Sequence, residues 1–196
     1  LLPKVNVPAD LDAASVGLTD QDIKLWAMME TPLSVLNAAA IAAHPHLGGM
    51  VMGTNDLVKD LGVTLRADRA QISASLQTCL LAARVFGVVC ADGVYNAFKD
   101  DEGLRVECEQ GRDMGFDGKT LIHPAQLAIA NEVFAPDPAA LALAARQIKA
   151  YAEAIEAGSA VAVVDGKIVE NLHVATAKAL IARAEMIAKR AEDAQN

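Results

Sequence analysis

The chain has 196 residues, of which 53% are hydrophobic and only 4% aromatic, and its formal net charge is −8 at pH 7. The 39 alanines favour closely packed helices and buried parallel strands, and this apolar content excludes an intrinsically disordered chain. The acidic charge excludes the basic surface with which proteins bind nucleic acids or anionic membranes. Because no run of about 18 uninterrupted apolar residues occurs, the sequence predicts no membrane span.

The cysteines indicate the redox setting of the protein. There are three, Cys79, Cys90 and Cys108, and none are in C-x-x-C spacing. An odd number without that spacing argues against a disulfide framework and predicts a reducing, cytoplasmic setting. Cys79 and Cys90 lie in apolar stretches and are predicted to be small core residues.

Strand-like and helix-like segments alternate over the first two thirds of the chain. The predicted strands span residues 1–5, 23–30, 47–52, 87–91 and 119–122. The first helix predicted between them starts within residues 31–34 and runs to residue 43, and the others span residues 71–86, 101–114 and 124–134. A strand–helix unit that repeats every 25 to 35 residues, roughly, predicts a parallel α/β fold. Because the sequence has neither a Gly-x-Gly-x-x-Gly motif nor a P-loop, part of a (β/α)8 barrel is favoured over a nucleotide-binding doubly wound sheet.

The pattern changes after residue 135. A long alanine-rich helix is predicted over residues 137–158, followed by two short strands within 160–170 and a final helix over 172–194. Asp165-Gly166 between alternating apolar residues is a strong hairpin signal. We therefore expect two regions, a partial barrel over residues 1–135 and a helix–hairpin–helix subdomain over 136–196 that caps a site or docks on another subunit.

Four polar side chains follow predicted strands, namely Glu30, Asp56, Asp92 and His123. The carboxyl ends of parallel strands form the ligand-binding edge of such folds. Glu30 and Asp56 are one strand–helix–strand step apart, and two carboxylates with open positions for water and substrate oxygens suit Mg²⁺. The spacing leaves a second interpretation equally open, in which Asp56 caps a helix and Glu30 is a surface acid.

Three further features have both a functional and a structural interpretation. Residues 53–56 (GTND) begin a predicted helix, so their backbone N–H groups are suited to a substrate carboxylate, although many helices begin in this way. His123 is either a catalytic base or a packed structural histidine. The candidate catalytic residues of the hairpin are Asp165 and Glu170, whose carboxylates either face solvent or act as a lid acid in general acid–base chemistry.

Five motifs occur in one order along the chain: residues 29–32 (METP), 53–57 (GTNDL), 92–95 (DGVY), 115–126 (GFDGKTLIHPAQ) and 165–170 (DGKIVE). Together they resemble the HpcH/HpaI aldolase and citrate lyase beta-subunit-like family, which includes malyl-CoA lyases. The run G-F-D-G-K-x-x-I-H-P-x-Q is the most specific of them.

The resemblance implies a (β/α)8 TIM barrel, of which this chain contributes about strands 4–8, with a C-terminal lid. It implies that Glu30 and Asp56 bind Mg²⁺, with Mn²⁺ as an alternative, and that coenzyme A is part of the substrate. A lid carboxylate at the position of Glu170, usually Asp in the family, would reach the site of a neighbouring subunit in a homotrimer or a hexamer. The residues expected to bind substrate are Glu30, Thr31, Pro32, Gly53, Asn55, Asp56, Ile122 and His123.

The expected activity is that of a Mg²⁺-dependent carbon–carbon lyase. Such an enzyme cleaves a 3-hydroxyacyl-CoA (malyl-CoA, beta-methylmalyl-CoA, citramalyl-CoA or citryl-CoA) to a 2-oxo acid such as glyoxylate and acetyl-CoA or propionyl-CoA. The alternatives are a malyl-CoA thioesterase on the same scaffold, a non-catalytic CoA-ester-binding subunit, and an aldolase acting on free acids. The resemblance also implies that three earlier strands, an enolate-stabilising Arg and the basic residues for the CoA phosphates lie upstream of Leu1.

Overall fold

The computed structural model of the protein describes residues 1–16, 18 and 23–193, which fall into two units, Leu1–Phe134 and Ala135–Asn196. The domain boundary expected from the sequence lies one residue further along the chain. A turn that the sequence suggests at Asp20 or Asp22 lies outside the described residues.

A parallel sheet forms the centre of the first unit. Its strands, in spatial order, are β1 (Leu25–Met29), β2 (Leu47–Met52), β3 (Val89–Asp92) and β4 (Gly118–Lys119). The predicted α/β class with a parallel sheet is therefore confirmed. The strand expected over residues 1–5 is wrong in extent, because only Leu2 forms a parallel bridge, to Ala27. Pro3 has no N–H to donate and Lys4 has a φ of 49°, so the extended backbone ends there.

Helices follow the strands, as the sequence predicts. One predicted helix is divided into two, and one helix that was not predicted is present. In chain order they are α1 (Pro8–Ser15), α2 (Pro32–Leu36), α3 (Ala38–Ala42), α4 (Thr54–Leu61), α5 (Ser73–Phe86), α6 (Asp101–Met114), a 3₁₀ turn (Pro124–Gln126) and α7 (Leu127–Phe134). The helix predicted from residues 31–34 to residue 43 is divided at Asn37, whose side-chain amide donates to the Asn6 carbonyl at 2.8 Å. Helix α1 was missed because its apolar pattern is weak, and only Leu11 is buried in it.

The core lies between this sheet and helices α3 and α5. It is built from aliphatic and sulfur-containing side chains, including Ala27, Met29, Ile41, Met50, Met52, Ile72 and Leu76. Most residues of β2 are buried irrespective of which face they occupy, as expected for a parallel strand covered on both sides. Cys79 and Cys90 belong to this core, as predicted, and burial raises the pKa of the Cys90 thiol to about 12.

The second unit is a helix–hairpin–helix. Its elements are α8 (Pro138–Glu156), β5 (Ala162–Val164), β6 (Lys167–Val169) and α9 (Asn171–Asp193). Asp165 and Gly166 join the two strands with φ angles of 49° and 75°, the left-handed backbone that a two-residue hairpin turn requires. Ala162, Val169 and Val174 form its small apolar core. The hairpin predicted from Asp-Gly is confirmed.

Among the residues that the structure describes, one helical stretch is long and apolar enough, by length and composition alone, to span a membrane. It covers Pro124–Glu156 and contains a window with a mean hydropathy of 1.2. Residues 135–137 are not helical, so the stretch consists of a 3₁₀ turn, α7 and α8 rather than one continuous helix. A single stretch of this kind is weak evidence for a membrane span.

Gly166→Ala tests the hairpin turn. We expect it to lower the free energy of unfolding of the second unit by about 1 kcal/mol, because a Cβ is disfavoured at positive φ. Gly166→Asn is the matched variant and should recover most of this loss, since asparagine tolerates the left-handed region. Urea unfolding followed by circular dichroism measures both, and equal stabilities of the Ala and Asn variants would contradict the assignment.

Candidate functional site

The pairing of β1 with β2 brings Glu30 next to Gly53. Met29 and Met52 are partners in the parallel register, so the residues that follow them lie side by side, and the Gly53 N–H donates to the Met29 carbonyl at 3.0 Å. A Cβ on residue 53 would collide with the Glu30 side chain and lie 2.8 Å from its Oε2. Glycine is therefore required where α4 begins, and it leaves room for the Glu30 carboxylate.

Lys4 contacts both of the predicted metal ligands. Its backbone N–H donates to Glu30 Oε1 at 2.7 Å, and its Nζ donates to Asp56 Oδ2 at 2.8 Å. Glu30 is only 6% exposed, whereas the Asp56 side chain is 38% exposed. The Lys4 ammonium holds the pKa of the Asp56 carboxyl below its usual range, so that carboxyl is an anion at neutral pH.

This arrangement fits a divalent cation that is bound by oxygen and retains water. Within the described part of the chain, no group of three or more His, Cys, Asp or Glu side chains is arranged to hold a metal ion. Two carboxylates at a partly open edge are the donor set expected for Mg²⁺, which keeps several waters. Glu30 is buried and is therefore not the surface acid of the alternative interpretation. Asp56 lies in the first turn of α4 and not at its N-cap, which is Gly53.

Thr31 and Pro32 fix the chain directly after Glu30. Thr31 caps α2, since its Oγ1 accepts from the Ser34 N–H at 3.0 Å and donates to Asn6 Oδ1 at 2.5 Å. Pro32 occupies the first turn of that helix, where its missing N–H has no helical partner to lose. These contacts hold the Glu30 backbone in place, and the expected substrate contacts of both residues stay predictions.

Asn55 is held by a residue that sequence reasoning missed. The side-chain amides of Asn55 and Asn96 donate to each other's oxygens, at 3.1 and 2.7 Å. The loop that carries Asn96 is anchored in turn by Gln126, whose Nε2 donates to the Tyr95 carbonyl at 2.9 Å. The motifs at residues 53–57, 92–95 and 115–126 are therefore connected through this loop.

Asp92 belongs to a buried ionic network. Arg69 Nη1 donates to both of its carboxylate oxygens at 2.8 Å, and Lys119 Nζ lies 3.2 Å from Oδ2. Glu107 accepts from the same Lys119 Nζ at 2.5 Å, and the side chains of Arg69, Asp92 and Lys119 are no more than 2% exposed. Asp92 is the last residue of β3, whereas the sequence predicts that it follows the strand. A carboxylate that is paired in this way stabilises the fold, so we interpret Asp92 as a structural residue. The pairing of Asp92 with Lys119 across β3 and β4 could have indicated that Lys119 is a partner of Asp92. Arg69 precedes α5 and belongs to no sequence motif that would have indicated its role.

His123 and Ile122 lie beyond β4, which ends at Lys119 and not at residue 122 as the sequence predicts. The His123 ring stacks on Phe98 with centroids 4.7 Å apart, and its Nδ1 accepts from the Ala125 N–H at 3.1 Å. Ile122 is 53% exposed, and its N–H donates to Gln126 Oε1 at 3.0 Å. Leu121, Ile122, His123, Pro124 and Leu127 line a cavity of about 260 Å³. The segment therefore combines a capping histidine with an accessible apolar surface.

The two hairpin carboxylates have different surroundings in the second unit. Arg146 donates to both oxygens of Asp165 at 2.7 and 2.8 Å and holds the pKa of that carboxyl below its usual range. Asp165 is therefore an anion that anchors the turn. Glu170 is exposed and precedes α9, where its N–H donates to His173 Nδ1 at 3.0 Å. Both residues are exposed.

The fold is that of a known class of protein. The sequence profile of the HpcH/HpaI aldolase/citrate lyase family matches residues 1–124, so the chain belongs to this family. The resemblance inferred from the motifs is thereby confirmed.

Particular relatives narrow the comparison. The chain is 62–65% identical, over 188 residues, to (3S)-malyl-CoA thioesterases from four strains of Cereibacter sphaeroides, which covers 96% of this chain and 65% of each relative. It is 29% identical over 212 residues to an L-malyl-CoA/beta-methylmalyl-CoA lyase from Rhodobacter capsulatus, covering 95% and 67% of the two chains. The crystal structure of CitE from Mycobacterium tuberculosis with magnesium, acetoacetate and coenzyme A is similar at a TM-score of 0.78 and 29% identity, covering 94% and 67%.

These comparisons correct the expected activity. The sequence motifs led to a carbon–carbon lyase, but the relatives with 62–65% identity are thioesterases, and the lyase is far more distant at 29%. The lyase prediction is therefore wrong as the main interpretation, and the stated alternative agrees better with the comparisons. The chain spans about two thirds of the length of the thioesterases that it matches, at 65%.

Asp92→Asn tests the buried network. We expect the free energy of unfolding to fall by about 3 kcal/mol or more, because the buried Arg69 would lose the carboxylate to which it donates two hydrogen bonds. Lys119 would keep Glu107 as its carboxylate partner. Asp113→Asn is the matched control, since Asp113 forms an exposed pair with Arg112 worth less than about 1 kcal/mol. Urea unfolding of both variants measures the difference, and a loss for Asp92→Asn no greater than that of the control would refute the structural role.

Proposed function

We propose that the protein hydrolyses a malyl-CoA-type thioester to the free hydroxy acid and coenzyme A. The observation that carries this proposal is the identity of 62–65%, over 96% of the chain, to (3S)-malyl-CoA thioesterases. In this reaction the C–S bond breaks, the acyl carbon gains the hydroxyl of a water molecule, and the sulfur gains a proton. For malyl-CoA the products are malate and free coenzyme A.

The proposal includes a magnesium ion, with manganese as an alternative, bound by Glu30 and Asp56. It is supported by the convergence of these carboxylates and by the magnesium in the crystal structure of the Mycobacterium tuberculosis relative. When bound, the ion polarises a carbonyl and orients substrate oxygens. Gly53 leaves room for the Glu30 carboxylate, and the free N–H groups in the first turn of α4, near Asn55, are suited to the carboxylate of the malyl group.

We propose Glu170 as the group that takes a proton from the attacking water. Its carboxylate is exposed at the end of the hairpin, whereas Asp165 is engaged by Arg146 and has a lowered pKa, which suits an anchor better than a proton carrier. Asp165 then acts by keeping the turn, and with it Glu170, in a defined conformation. Such a positioned carboxylate typically accelerates proton transfer by about 10² to 10⁴.

The wider architecture follows the same proposal. Strands β1–β4 would belong to a (β/α)8 barrel, and the second unit would be a lid that reaches the site of a neighbouring subunit in a homotrimer or hexamer. The helix after each strand and the parallel order support the barrel. Ile122 and His123, with Phe98 stacked on the imidazole, would lie along the path of coenzyme A. The three buried, free cysteines suit a cytoplasmic setting.

The reaction is tested by its products. With (3S)-malyl-CoA and Mg²⁺, the protein should release one thiol per malate formed, measured by thiol titration and chromatography. Glu30→Gln should lower kcat/KM by about 100-fold or more, because the cation would lose a charged ligand. Glu102→Gln replaces an exposed glutamate of α6 and should change kcat/KM by less than about twofold. Glyoxylate and acetyl-CoA as the main products, or no turnover at all, would reject the thioesterase proposal.

Glu170→Gln tests the proton-transfer role. We expect kcat to fall by about 10² or more with little change in KM, since the lost interaction belongs to the reacting state. Glu185→Gln, an exposed glutamate of α9, is the matched control and should retain full activity.

Mixing subunits then tests whether Glu170 acts on a neighbour. Inactive Glu30→Gln and Glu170→Gln proteins, dissociated and reassembled at equal amounts, should regain about a quarter of the wild-type activity if each site combines residues of two subunits. Mixtures without regained activity would mean that Glu170 does not serve the site of a neighbouring subunit.

A further inference from the structure

Lys4 is the residue that bridges the two carboxylates of the proposed cation site. It does so with two different groups, because its backbone N–H donates to Glu30 at 2.7 Å and its side-chain Nζ donates to Asp56 at 2.8 Å. The contact with Glu30 is formed by the backbone and therefore does not depend on the position of the Lys4 side chain. The contact with Asp56, in contrast, depends on one ammonium at the end of a flexible stem.

The backbone of Lys4 is adapted to this double contact. Its φ of 49° lies in the left-handed region, which residues with a Cβ rarely adopt. The single bridge at Leu2 aligns the chain beside β1, and the left-handed turn then directs the Lys4 N–H at Glu30. Such a conformation persists only where the surroundings hold it, and it is often found at functional sites.

The charges around Lys4 explain why a cation is needed there. Its ammonium interacts with three acidic groups, namely Asp56, Glu30 and Asp60. Without a cation these carboxylates would repel one another, and Glu30 would do so from a buried position. Lys59 also attracts Asp56, but only through space and after Lys4 in strength. In the part of the chain that the structure describes, Lys4 is therefore the cation in direct contact with Asp56.

We infer that the Lys4 ammonium is a built-in counter-cation that occupies the place of the divalent ion in the metal-free protein. This inference rests on the proposed metal site at Glu30 and Asp56. A divalent ion bound directly to Asp56 would repel an ammonium hydrogen-bonded to the same carboxylate, so the two cations compete. The Lys4 side chain is 57% exposed, so the ammonium withdraws into solvent while the backbone N–H stays on Glu30.

Competition predicts that removal of the ammonium strengthens metal binding. Lys4→Met keeps the backbone N–H and the length of the stem but has no charge. We expect its affinity for Mn²⁺, measured by electron paramagnetic resonance of the free ion in a titration of metal-free protein, to be about tenfold higher than that of the wild type. Lys4→Arg keeps the charge and should stay within about threefold of the wild type.

The matched control is Lys59→Met, which removes a charge that acts on the same carboxylate without a hydrogen bond to it. It should change the affinity for Mn²⁺ by less than about twofold, because exposed charges are screened by solvent and salt. A second readout is thermal stability. In EDTA, Lys4→Met should melt at a lower temperature than the wild type, and added Mn²⁺ should raise its melting temperature more. If Lys4→Met does not fold, Lys4→Gln serves for both measurements.

The outcomes distinguish this inference from the proposed metal site. Unchanged or weaker Mn²⁺ binding by the neutral variants, with wild-type binding that is lost in Glu30→Gln, would overturn the role of Lys4 and leave the metal site standing. An absence of saturable binding in the wild type and in both neutral variants would overturn both. Binding that is tighter in the neutral variants, or seen only in them, is the result expected from competition.

Discussion

The parallel register of β1 with β2 is the constraint on which the rest of the site depends. It aligns Met29 with Met52, so the chain leaves the two strands at the same edge with Glu30 beside Gly53. The contact is so close that residue 53 has no room for a side chain. A shift of one residue in either strand would turn Glu30 to the opposite face and separate it from Asp56. The candidate cation site therefore depends first on the pairing of β1 with β2, which brings the two carboxylates to the same edge of the sheet.

Two groups of charged side chains lie along this sheet, and they differ in how the charges are compensated. At β3 and β4, Asp92 is enclosed by Arg69 and Lys119 in a buried network whose hydrogen bonds are formed within the protein. At β1 and β2, the carboxyl groups of Glu30 and Asp56 are both contacted by Lys4, whose side chain is more than half exposed. The first arrangement is buried and stabilises the fold. The second arrangement can exchange its cation, which is what a binding site for a divalent ion requires.

The change from lyase to thioesterase has a physical explanation. A carboxylate pair, a helix N-terminus and a lid acid are useful for holding a malyl-CoA-type ester whichever bond is broken. Cleavage of the C–C bond and hydrolysis of the C–S bond differ in where a water molecule and a proton carrier stand relative to the thioester carbonyl. The spacing of the motifs along the chain does not indicate where the water molecule and the proton carrier lie. The identity of 65%, which extends over 96% of the chain, reflects many more residues than the motifs do, and it favours the thioesterases.

The sequence by itself determined the order of strands and helices, the extent of β2, the Asp-Gly hairpin and the two carboxylates after neighbouring strands, because these features depend on periodicity and on turn residues close together in the chain. It did not determine that residues 1–5 would form only a bridge at Leu2, or that Lys4, Arg69 and Asn96 would contact Asp56, Asp92 and Asn55. These contacts join residues 23 to 52 positions apart and leave no local pattern. They exist because the sheet brings distant strand ends together, where a buried or crowded charge must find a partner. Only the tertiary structure, therefore, identified the cation that accompanies Asp56.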